Sequence, residues 1–66
     1  MKKLVKKYLK KYNMTQTEFS LRVGMSKQLV SWHIQHPQAK WNPADAKKIE
    51  RATSGEILAY DLVFKD

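Results

Sequence analysis

Ser26, Lys27, Gln28 and Ser31 place a hydroxyl, an ammonium, a carboxamide and a second hydroxyl along one short stretch. Carboxamide and ammonium groups match the donor and acceptor pattern of base edges, and hydroxyls serve bases or phosphates. The elements that must hold them are two helices and a tight turn. Thr15-x-x-Glu18 is a capping box: the Thr15 hydroxyl accepts from the Glu18 N–H, and the Glu18 carboxylate reaches back to Thr15. Met14 and Phe19 have the spacing of a hydrophobic staple. Gly24 suits the left-handed conformation that ends a helix. Ser26 is a good N-cap, and Met25 with Val30 repeats the staple. Two capped helices so close in sequence must turn sharply. This predicts a helix-turn-helix, whose second helix enters the major groove of DNA. Phe19, Val23, Met25, Val30 and Ile34 point inward in this reading, and small Ser20 sits where the helices cross. An αα-corner with a solvated polar face fits the same pattern, because the motif is short and degenerate.

Sixty-six residues make one domain. Such a chain buries only roughly 60% of its unfolded surface, so a partner chain would help it. There is no cysteine, hence no disulfide framework and no thiolate metal site. No apolar run approaches the ~20 residues of a membrane-spanning helix. Met1-Lys2-Lys3 resembles a signal-peptide start, but recurring lysines leave no apolar region behind it. The net charge of +7 favours a polyanionic partner, nucleic acid or anionic membrane.

Residues 2–12 form the first helix, with Leu4, Val5, Tyr8, Leu9 and Tyr12 on one face. Lys2, Lys3, Lys6, Lys7, Lys10 and Lys11 fill the rest. They keep the surface soluble, or touch phosphates near the helix ends, or mark a membrane-surface helix. The last conflicts with the need of so small a core for this stripe. Asn13 is the expected C-cap. The motif helices span 16–23 and 27–35. His36-Pro37 then breaks the chain, since proline cannot continue a helix. Lys40, in the loop that follows, has the reach for a phosphate.

Asn42-Pro43-Ala44-Asp45 opens a helix over 43–53: Asn caps, Pro takes the first position, and Asp favours the positive end of the dipole. Trp41 is its expected anchor, against Ala46 or Ile49. Lys47, Lys48 and Arg51 face out, and Gly55 terminates it. The segment 57–64 is too apolar for a disordered end. Helix and strand periods cannot be told apart over so few residues, and a turn or short helix is preferred. The fold class expected is all-α: a compact four- to five-helix domain around a central helix-turn-helix.

His33 and His36 share one helical face, but no third histidine, cysteine or HExxH motif supports a metal site. The carboxylates are dispersed, and two glycines cannot make a phosphate-cradling loop. No enzyme, cofactor or small-molecule substrate is expected.

The run QTEFSLRVGMSKQLVSWHI, with Gln16 at its start, Gly24 eight residues on and Val30 six after that, resembles small phage Cro repressors and YdaS-like Cro/CI-type domains. The likeness covers 4–63, and the later WNPADAKKIERATSGE is its more specific part. Ser20 stands where the family usually has Ala. His33 stands where a buried Ile, Leu or Trp is usual, with Trp32 before it, which predicts a rotated or frayed end to the recognition helix. Trp41 replaces an aliphatic residue. The resemblance implies a lambda-repressor-like fold and a dimeric repressor on a palindromic operator, in the bacterial cytoplasm with the nucleoid. It assigns Gln16 and Thr17 to phosphates and Ser26, Lys27, Gln28 and Ser31 to base edges or flanking phosphates. Trp32 and Lys40 complete the candidate set. A YdaS-like toxin- or antitoxin-associated regulator would share fold and ligand; a basic protein- or membrane-interaction module would not. The apolar groups left for a weak homodimer are Ile57, Leu58, Leu62, Val63 and Phe64, with Leu29 a lesser candidate; the alternative is that the C-terminal ones only cap the domain's own core.

Overall fold

The computed structural model describes residues 3–65 and is all-helical. The helices are α1 (Leu4–Lys11), α2 (Gln16–Val23), α3 (Lys27–Gln35), α4 (Pro43–Ala52) and a short π-wound α5 (Asp61–Lys65). Among these residues there is no strand, and no helix is long and apolar enough to cross a membrane. The expected start of the first helix at Lys2 lies outside the described residues.

Local chemistry sets the bounds of α2, α3 and α4. Thr15 Oγ1 accepts from the Glu18 N–H at 3.1 Å, and Glu18 Oε1 accepts from the Thr15 N–H at 3.0 Å, closing the capping box. Ser26 Oγ accepts from the Leu29 N–H at 3.1 Å. Asn42 Oδ1 accepts from the N–H groups of Ala44 and Asp45 at 2.8 and 3.2 Å, with Pro43 in the first position, where its missing N–H is no loss. α3 continues unbroken to Gln35, so the frayed end expected from His33 does not occur.

Three helix ends share one closure, in which an N–H just past the helix bonds a carbonyl five residues back. Met14 N–H reaches Leu9 O at 2.9 Å, Met25 reaches Ser20 O at 3.0 Å, and Gly55 reaches Glu50 O at 2.9 Å. The residue before each donor is left-handed: Asn13 at φ 51°, Gly24 at φ 81°, Ser54 at φ 53°. Two expectations shift accordingly. The cap of α1 is Tyr12, with Asn13 one residue beyond it. α4 ends at Ala52 with Thr53 as cap, so the turn is completed by Ser54 and Gly55 is the donor that seals it.

The core joins all five elements: Val5 and Leu9 from α1, Phe19 and Val23 from α2, Val30 from α3, Ala46 and Ile49 from α4, and Leu62 from α5, with Trp41 and Ile57 from the connections. Met14 and Met25, the outer halves of the two staples, pack against it half-buried. α2 packs on both α3 and α4, and α5 on α4. Ser20 is buried, its hydroxyl returned to the Thr17 carbonyl at 2.8 Å. Its small size admits the neighbouring helix. Tyr12, expected on the inward stripe of α1, is 47% exposed instead. It is the cap, one residue past the helix, and its hydroxyl donates to the Glu56 carboxylate.

The segment after α4 is tied by two side chains. The buried Thr53 hydroxyl donates to the Ile49 carbonyl at 2.8 Å and accepts from the Ile57 N–H at 3.2 Å. Glu50 Oε1 accepts from the Ala59 N–H at 2.8 Å, ahead of α5. Ile57 and Leu62 are thereby drawn into the chain's own core. This corrects their expected place among groups left for a partner; Leu58, Tyr60 and Phe64 stay exposed, and Val63 is half-buried.

Candidate nucleic-acid interface

The first turn of α3 begins at Ser26, whose oxygen is committed to the Leu29 N–H. The Ser26 hydroxyl proton remains available as a donor. Lys27 and Gln28 follow at the positive end of the helix dipole, both exposed. One turn on come Ser31, half-buried, and Trp32, exposed; Gln35 closes the row. Lys27, Gln28, Ser31, Trp32 and Gln35 line one open groove along the outer face of α3. Val30 and Ile34, on the opposite face, hold the helix to the core.

The structure thus gathers four of the candidates, Lys27, Gln28, Ser31 and Trp32, in one groove. Gln16, Thr17, Ser26 and Lys40 lie outside its lining. Gln16 is half-buried at the start of α2, and Thr17 is exposed beside it. Lys40 is exposed in the connection to α4. Gln35 was missed in the sequence, although its spacing of four from Ser31 and seven from Gln28 marks it. Lys3 and Lys6 belong to the first-helix lysines for which phosphate contact was one of the expected roles. They line a cleft with Pro37, Ala39 and Trp41, so the start of α1 lies beside the loop that carries Lys40. Lys11 is engaged elsewhere, 2.9 Å from Glu56 Oε2.

Four aromatic rings run from the core to this face. Buried Trp41 lies flat on His33, centroids 3.7 Å apart at 13°. His33 meets Trp32 edge-on at 5.1 Å and 88°. Trp32 lies flat on His36 at 4.3 Å and 16°. His36 Nδ1 is 2.8 Å from the Trp32 carbonyl, and a carbonyl only accepts, so Nδ1 carries the proton. The two histidines, which the sequence places on one helical face, are each stacked on a different indole. Among the described residues no three metal-ligating side chains come together.

His33 Nδ1 is buried with no hydrogen-bond partner. Burial holds the His33 pKa below the ordinary histidine value; the Asp45 charge and the Ala39 backbone oppose this, and His36 adds to it. Near the opposite end of α1, Glu56 is held below the usual carboxylate range by the Tyr12 hydroxyl and then by Lys11. Hydrogen bonding to Glu56 raises both Lys11 and Tyr12. Glu18 is lowered by the Thr15 backbone N–H in the capping box. The Glu56 contacts tie the end of α1 to the segment after α4, and those of Glu18 close the start of α2. No family model, no curated protein and no solved structure matches the chain.

Proposed function

We propose that this chain is a sequence-specific double-stranded DNA-binding protein of the Cro repressor kind, with α3 in the major groove. The observation that carries the reading is the outer groove of α3. Lys27, Gln28, Ser31 and Gln35 line it, on a helix fixed at its start by Ser26 and underneath by Val30. Lysine pairs with guanine O6 and N7, and glutamine with adenine N6 and N7. A helix that presents both in its first turn offers direct readout. The net charge of +7 supports a polyanionic ligand. Lys40 in the loop, with Lys3 and Lys6 beside that loop, is a natural set of phosphate contacts. Gln16 and Thr17, at the start of α2, would contact phosphate as the Cro resemblance implies.

One such motif reads about one half-site, so repression at a palindrome requires two chains. The exposed apolar surface of Leu58, Tyr60 and Phe64 is the proposed meeting surface of a weak homodimer. The protein would act in the bacterial cytoplasm, on the nucleoid, as a binding protein without catalysis or cofactor. Selection of bound sites from a random duplex library tests the reading. A recovered palindromic consensus is expected; binding without any consensus, or no binding, overturns it. Co-sedimentation with anionic vesicles distinguishes the membrane alternative.

A further inference from the structure

We propose that Trp32 reads thymine: its indole packs on the C5-methyl group of one thymine per half-site, held in place by His36. This deepens the DNA-binding reading above and rests on it.

Tryptophan is usually well buried, yet Trp32 is 46% exposed. Two other rings fix where it stands. His36 covers one face of the indole, and the His36 ring is itself fixed by its Nδ1–H bond to the Trp32 carbonyl. His33 abuts the indole edge-on, and His33 lies flat on the buried Trp41. The indole cannot swing away without breaking both ring contacts. It is a preformed contact surface, with little side-chain freedom left to lose on binding.

The groove around it determines the ligand chemistry. Its other lining residues, Lys27, Gln28, Ser31 and Gln35, carry polar ends suited to base edges and phosphates. Trp32 is the one apolar group among them. The major groove likewise has one apolar feature, the thymine C5-methyl, among hydrogen-bonding edges. Trp32 lies one helical turn beyond Gln28. A base step read by Gln28 and a neighbouring thymine read by Trp32 therefore form one contiguous footprint.

The experiment uses the duplex recovered by selection and a series in which each thymine is replaced by uracil. Pairing stays intact and only the methyl group is lost. Affinities are measured for wild type, Trp32→Ala and His36→Ala. Both side chains are exposed, so neither variant opens the core. Wild type is expected to lose about three- to fivefold at one thymine per half-site, the worth of one buried methyl. Trp32→Ala should bind the thymine and uracil duplexes equally. His36→Ala should reduce the thymine-to-uracil ratio, which a merely structural role would leave unchanged.

Tight, site-selective binding by wild type with no uracil effect at any position overturns the proposal and leaves the DNA reading standing. A uracil effect that persists in Trp32→Ala also overturns it and moves the methyl contact to half-buried Leu29. An unchanged ratio in His36→Ala overturns the positioning role alone. Failure of wild type to bind any duplex overturns the underlying reading instead.

Discussion

Truncating Trp41 to alanine removes the largest ring of the core at the point where the loop after α3 meets α4. The side chain is 5% exposed and lies flat on His33 at 3.7 Å. Tryptophan-to-alanine changes in cores cost about 3–5 kcal/mol through lost burial and the cavity left behind. The aromatic pair adds about 0.5–1.5 kcal/mol beyond its area. The whole stability of a 66-residue domain is about 3–10 kcal/mol, taken at ~0.05–0.15 kcal/mol per residue. The loss is therefore comparable with the total, and the variant should be largely unfolded at 25 °C. Urea titration followed by circular dichroism reads this directly. With a slope near 1 kcal/mol/M, the midpoint should fall by about 3 M or the transition should vanish. Trp41→Phe, which keeps a ring on His33, should retain a cooperative transition. A Trp41→Ala midpoint within about 1 M of wild type would refute the role of the ring as the anchor of α4.

Four further outcomes are expected. Lys27→Ala and Gln28→Ala should each relax preference at one base pair, by about 1–3 kcal/mol; variants that keep the wild-type consensus would remove both from base readout. Lys40→Ala should weaken binding evenly across sequences and reduce the slope of log K against log salt by about one, whereas an unchanged slope would remove it from phosphate contact. His33 has its pKa lowered by burial, so the unfolded chain binds a proton that the native chain resists. Its contribution is therefore intact above the ordinary value near 6.5 and is lost as pH falls through it towards the folded value; urea midpoints between pH 5 and 8 should show this, and an equal slope in His33→Phe would exclude His33 as the source. Phe64→Asp should lower the dimer fraction in sedimentation equilibrium and leave the monomer folded, and one chain per palindrome at saturation in wild type would rule out the dimer.

Where a residue's role is settled within four or five positions of itself, the sequence was enough. Thr15 with Glu18, Gly24, Ser26, and Asn42 with Pro43 mark the bounds of α2 and the starts of α3 and α4, because capping bonds are local. The outward face of α3 was legible for the same reason: Val30 and Ile34 fix which side is inward. Contacts that cross a loop were not legible. Nothing in the spacing of His33 and Trp41 announces that their rings stack. The fate of Ile57 and Leu62 depended on Thr53 and Glu50 turning the chain back over α4, a tertiary event. Tyr12 illustrates the limit of periodicity: its position on the stripe was right, but the bond to Glu56, 44 residues away, holds it at the surface. The frayed end expected of α3 does not occur, and the flat face of Trp41 accommodates the His33 imidazole there.

The shared closure at the ends of α1, α2 and α4 bears on how much of this protein a cell would hold. Only Gly24 is a glycine; Asn13 and Ser54 are L-residues held at φ 51° and 53°. Left-handed backbone costs an L-residue roughly 1–2 kcal/mol, and asparagine tolerates it better than serine does. Ser54 is exposed and lies outside the α3 groove. Ser54→Gly should therefore recover about 1 kcal/mol without touching recognition. Changes of about 1–2 kcal/mol alter cellular abundance several-fold, because proteases sample the unfolded fraction. Ser54 then acts as a dial on steady-state concentration and so, under the proposed DNA-binding function, on how fully a site is occupied, separate from the α3 residues proposed to read that site.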